Sequence, residues 1–165
     1  MTERSLTITW EEPQSRKTTA HLSGLEFFKG IIDGTIPPSP ISRLMGFDFV
    51  DVGDGWVVLE CRPGEQHYNL VGNGAHGGLA CTLLDTCMGS AIQVLQPAGY
   101  AATTLELKVN MVRPITTETG KLRCEGRAIH RGRRIATSEG KVVDAEGKLY
   151  AHGTTTMMIF PLEAK

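Results

Sequence analysis

From Gly77 to Leu95 the chain reads GGLACTLLDTCMGSAIQVL, apolar nearly all round with one acid inside it. A helix of that character must be surrounded by protein. Its 19 residues approach the length of a membrane span. Thr82, Asp85, Thr86 and Gln93 would be costly in lipid, however, so the segment is predicted to be a core helix. The rest of the chain then has to wrap it.

The flanking segments have the periods needed to do so. Residues 1–20 are polar and aperiodic, and Leu22, Leu25, Phe28, Ile31 and Ile32 then recur at helical spacing until Gly34. The prolines of Ile36–Pro40 predict a stiff, non-helical connector. Two apolar stretches between Gly46 and Cys61 flank Gly53-Asp54-Gly55, the pattern of a hairpin whose second strand begins near Trp56 and ends at Arg62-Pro63-Gly64.

Beyond the central helix the period changes to two. Leu105, Leu107, Val109 and Met111 alternate with Glu106, Lys108 and Asn110, and strict alternation puts Thr104 on the polar face with Glu106 and Lys108. This long strand ends near Pro114. Three more strands are expected, roughly Lys121–His130, Arg134–Asp144 and Lys148–Phe160, joined as consecutive hairpins. A hairpin, a long apolar helix and four further strands describe an α+β domain whose antiparallel sheet wraps one helix. The expected division is an N-terminal extension over residues 1–45 and a single domain over residues 46–160.

Composition narrows the chemistry. Seventeen Lys and Arg nearly balance 18 Asp and Glu, which argues against nucleic acid as a partner. Cys61, Cys81, Cys87 and Cys124 form no C-x-x-C pair, and the Met1 end has no secretory pattern. Both point to reduced thiols and a cytoplasmic protein without a membrane span. The five histidines lack ligand spacing, so neither a metal nor another cofactor is expected.

An ionised carboxylate halfway along an apolar helix costs several kcal/mol unless it is paired, hydrogen-bonded or reachable by water. Asp85 is therefore either tied down by a neighbour or used as a base or nucleophile, for which a partly dry cleft suits it. Gly77 and Gly78 follow His76 at the start of the helix, where free N–H groups and the helix dipole can hold a developing oxyanion. The bland alternative is a tight loop-to-helix turn. His76 is read first as a positioning residue, capping the helix or holding the loop. Its nine-residue step to Asp85 turns through about 900 degrees of helix, so the two should not share one cleft within a chain. Small residues on the Asp85 face would let a second helix approach, which points to a site at a subunit interface. Arg131, Arg133 and Arg134 at a hairpin tip, with Arg113, are candidate phosphate binders or simply solvated turn residues.

HYNLVGNGAHGGLACTLLDTCMGSA from His67, followed in order by TTLELKVNMVRP, GRRIATSEG and YAHGTTT, resembles the PaaI-type hotdog thioesterases over roughly Gly46–Phe160. The resemblance implies a hotdog fold, hydrolysis of acyl-CoA without metal, and a homodimer with joined sheets that pairs into a homotetramer. It further implies that Asp85 activates water or attacks the thioester while the Gly77 N–H of another subunit polarises the carbonyl. Thr104, with Thr103 adjacent, would place the attacking water. The family's substrate-contacting Asn falls on Asn69, one residue further from His76 than in the usual N-x-x-G-x-x-H-G-G pattern, or is replaced by Asn73. Phenylacetate-pathway relatives favour aryl acyl groups slightly. The competing readings are a noncatalytic acyl-CoA-binding module and, further behind, a hotdog enoyl-CoA hydratase.

Overall fold

A computed structural model of the chain describes residues 2–13 and 18–162. The element order is α1 (Gly24–Asp33), α2 (Pro40–Met45), β1 (Phe47–Gly53), β2 (Trp56–Cys61), α3 (Gly77–Gln93), β3 (Tyr100–Met111), β4 (Leu122–Arg131), β5 (Ile135–Val143) and β6 (Leu149–Pro161). The strands make one six-stranded sheet in the order β1-β2-β4-β5-β6-β3, antiparallel at every pairing. The α3 helix lies across its concave face, so the architecture is the α+β hotdog expected from the sequence.

Local chemistry sets the element ends. Ser23 and Glu26 close a capping box on α1, and Gly34 ends it at φ 82°. The expected connector is broken at Pro40, which opens the short helix α2. Ser39 caps that helix and Pro40 occupies its first turn, where a missing N–H costs nothing. The sequence reading missed α2 because it weighed proline only as a helix breaker.

The helix and sheet meet along a row of glycines. Gly126, Gly140 and Gly153 are in register across β4, β5 and β6. A Cβ at Gly126 would lie 2.3 Å from the Cys87 carbonyl oxygen, and one at Gly140 2.8 Å from Met88 Cγ. Buried Leu84, Cys87 and Met88 press onto this row, and the Ser138 hydroxyl donates to the Met88 carbonyl at 2.9 Å. Only one side of α3 is sheathed: Gly78, Cys81, Thr82, Asp85 and Gly89 on the other side are half-buried.

The strict alternation assumed for β3 fails at one residue. Thr104 pairs with Met157 and Glu106 with Thr156, leaving Leu105 as a bulge. Leu105 is 55% exposed, whereas Leu107 and Val109 pack on the core. The extra residue shifts the face on which everything before it points. Thr104 therefore faces α3, and its predicted place beside Glu106 and Lys108 is corrected.

Replacing Gly126 by alanine drives a methyl group into α3 backbone, an overpacking cost of about 1–3 kcal/mol. The expected result is a melting temperature lowered by about 2–12 °C in thermal unfolding. An unchanged melting temperature would mean that α3 does not sit on this glycine row.

Candidate active site

Asp85 lies in the middle of α3, half-buried on the unsheathed side. The Thr104 hydroxyl, turned inward by the bulge, donates to Asp85 Oδ1 at 2.8 Å. Among the described residues the carboxylate's second oxygen has no donor. Asp85, Thr86, Gly89, Thr104 and Met157 border a cavity of about 360 Å³.

The start of the helix is built differently. His76 stands outside the helix as its N-cap, at φ −58° and ψ 139°. Its Nδ1 accepts the Gly78 N–H at 2.9 Å, which satisfies one of the free donors of the first turn. Gly78 is thus engaged within the chain, which leaves Gly77 as the candidate oxyanion donor of the pair. The Gly77 N–H has no acceptor among the described residues. A Cβ at Gly77 would meet Met111 Sδ at 2.7 Å, so the Met111 side chain at the end of β3 packs against this glycine. Arg113 lines the same cleft of about 320 Å³ with His76 and Gly77, and donates to the Leu149 carbonyl.

Distance along the helix keeps the two halves apart. Eight residues from Gly77 to Asp85 correspond to about 12 Å of rise, too far for both to touch one thioester. The structure groups Asp85 with Thr104, and His76, Gly77 and Gly78 with Arg113. Asn69 folds back on its own loop, its N–H and Nδ2 both reaching the Gly74 carbonyl, at 3.0 and 3.4 Å, and Asn73 is exposed beside it. Arg131, Arg133 and Arg134 are exposed on the β4–β5 tip. Arg131 donates to Gln96 Oε1 at 3.4 Å, just past the far end of α3.

Two residues without an expected site role shape this region. Gln93 reaches the free edge of β3: its Oε1 accepts the Ala102 N–H at 2.8 Å and its Nε2 donates to the Tyr100 carbonyl at 3.2 Å. His67 anchors the loop that delivers His76. It is 8% exposed, its Nδ1 accepts the Gly64 N–H at 3.0 Å, and its carbonyl accepts the His76 N–H at 2.7 Å.

The pattern of the thioesterase superfamily matches residues 72–151, from the loop before α3 into β6. A conserved protein of Pseudomonas aeruginosa is 32% identical, with 74% of this chain and 95% of that one covered at a TM-score of 0.69. The chain belongs to the thioesterase superfamily. The PaaI protein of the E. coli phenylacetic acid degradation operon, 19% identical, shares the fold over 84% of this chain and 96% of its own at a TM-score of 0.72. A Streptococcus mutans protein solved with acetyl-CoA bound is 26% identical, covering 70% of this chain and 90% of its own at a TM-score of 0.63. Among the described residues no helix is long and apolar enough to cross a membrane.

Burial holds the His67 imidazole below its usual 6.5, and its Nε2 has no hydrogen-bond partner among the described residues. The unfolded chain takes up this proton near its ordinary pKa, so the stability present above about pH 6.5 is lost as pH falls towards the depressed folded value. Protonation also removes the acceptor for the Gly64 N–H. The melting temperature should fall between about pH 7 and 5, and His67→Gln should flatten that slope. An identical slope in the variant would exclude His67 as the sensitive group.

Proposed function

We propose that this thioesterase-superfamily protein hydrolyses acyl-CoA to free acid and CoA, in sites that two protomers share. The observation that carries the reading is the Thr104–Asp85 hydrogen bond at 2.8 Å, made at a half-buried carboxylate beside a cavity and remote from the open Gly77 N–H. Asp85 acts as general base through its second oxygen. It takes a proton from a water held with Thr104, and the resulting hydroxide adds to the thioester carbonyl. The oxyanion is stabilised by the Gly77 N–H and the positive end of α3. The C–S bond then breaks, and the CoA sulfur leaves with the proton returned by Asp85.

The shared site is supported by the geometry of β3. This strand is a sheet edge 12 residues long, an open template for pairing. Gln93 occupies its beginning, so a second copy is left the stretch from about Thr104 to Met111. Antiparallel pairing there sets Thr104 of one protomer near Met111 of the other. Since Met111 packs against Gly77 and Thr104 holds Asp85, each Asp85 comes beside the opposite helix start. The same pairing turns the β4–β5 tip, with Arg131, Arg133 and Arg134, towards the partner's Gly77, where Arg113 also lies and where CoA phosphates would need cations. His76 acts as a positioning residue, and Asn69 contributes by shaping the loop. A homotetramer would pair two such dimers. The acetyl-CoA bound by the Streptococcus mutans relative supports the ligand class.

The first test is thiol release from short, medium, long and aryl acyl-CoAs. Asp85→Asn should lower turnover by about 10²–10⁴-fold while CoA-ester binding persists. Turnover retained in the variant would remove Asp85 as base. Binding without turnover in either protein would make this a noncatalytic acyl-CoA-binding module. Thr104→Val should reduce kcat about ten- to hundredfold with little change in KM, as expected on losing a hydrogen bond to a charged group. A pure KM effect would make Thr104 a substrate contact instead.

A further inference from the structure

The cavity beside Asp85 has a wall that lies outside the family match at residues 72–151. Asp85, Gly89 and Thr104 line one side of it, and Leu22, Phe27 and Phe28 line the other. That second side belongs to α1 and the turn before it. Its position is fixed by direct backbone ties: the Gly24 N–H donates to the Gln96 carbonyl at 3.0 Å, and the Gly99 N–H to the Ala20 carbonyl at 2.8 Å. A Cβ at Gly24 would lie 1.8 Å from the Gln93 carbonyl oxygen, so only glycine lets α1 seat so closely on the end of α3. Phe27 meets Phe28 edge-on at 5.3 Å, and Phe28 packs on Phe49 of β1 at 5.0 Å. The ring chain braces the wall against the sheet.

We infer that this N-terminal segment is the specificity-determining wall of the acyl site, and that Phe27 limits the acyl group to compact chains or rings. The inference rests on the thioesterase reading and deepens it. At about 360 Å³ the cavity lies near the lower end of the roughly 300–1,000 Å³ typical of small-molecule sites. Among the described residues its far side offers the aromatic surface of Phe27 and Phe28 and no Lys or Arg, which suits an uncharged acyl group. Phe27 is half-buried and stands on α1, an element separate from those that carry Asp85 and Thr104. Gly89 sits on the facing helix, where an added Cβ would come 3.3 Å from Met157 Cε, the movable end of a flexible side chain.

The test compares acetyl-, butyryl-, octanoyl-, palmitoyl- and phenylacetyl-CoA in the native protein, Phe27→Ala and Gly89→Ala. Hydrolysis is read as kcat/KM and binding as the Kd of the matching non-hydrolysable S-alkyl thioethers of CoA. Phe27→Ala should raise kcat/KM for octanoyl- and palmitoyl-CoA about tenfold or more with acetyl-CoA within about twofold, the size expected for relieving a pocket contact. Gly89→Ala should move the preference towards shorter chains. Equal changes across the series, with hydrolysis intact, would overturn the inference and leave the thioesterase reading standing. A chain-length shift in Kd without turnover in any protein would keep the wall and overturn hydrolysis. No binding of any thioether would overturn both.

Discussion

The close contact between α3 and the glycine row of β4, β5 and β6 governs this structure. Gly126, Gly140 and Gly153 remove side chains where Leu84, Cys87 and Met88 press against the sheet, so the helix sinks into the concave face. Apolar burial supplies the attraction, at roughly 25 cal/mol per Å², and backbone contact sets the depth. Had the row carried side chains, α3 would ride higher and Thr104 would lose its reach to Asp85. Fold and chemistry therefore depend on one packing distance.

That packing makes the helix asymmetric. Its sheathed side is fully buried, whereas Gly78, Cys81, Thr82, Asp85 and Gly89 remain half-exposed, so an apolar helix that reads as a complete core is only part of one. The bulge at Leu105 turns Thr104 to this open side, and Gln93 closes the first part of the neighbouring strand edge. The remaining edge, the open helix side and the Gly77 N–H, which has no acceptor among the described residues, lie together on one flank. A second copy on that flank would cover apolar surface, satisfy strand backbone and complete the proposed site at once.

Much of this was legible in the sequence where a strong period or a motif existed. The apolar run fixed the position of α3, the alternation and turn residues located the strands, and the solitary acid in an apolar helix marked Asp85. What was missed depends on relations between distant segments. The glycine row is visible only when Gly126, Gly140 and Gly153 are laid side by side by strand register. A bulge carries no composition signal, so Thr104 was paired with Asp85 by resemblance to a family while strict alternation put it on the opposite face. Capping is one of several roles the position of His76 allows, and its use of the Gly78 N–H depends on the non-helical backbone at His76. Proline at Pro40 read as a stop and proved to be a start, since Ser39 before it supplies the cap.

The central claim is that Asp85 and the Gly77 N–H serving one thioester come from different protomers. It is tested most directly by mixing two inactive variants. Gly77→Pro removes that N–H at the first helical position, where proline is tolerated. The extended His76 backbone before it already suits a following proline. Unfolded together and refolded with Asp85→Asn, half of the dimers should be mixed, each with one site holding both native groups. Thiol release should recover to about a quarter of the native rate. A mixture no more active than the two variants alone would contradict the shared site.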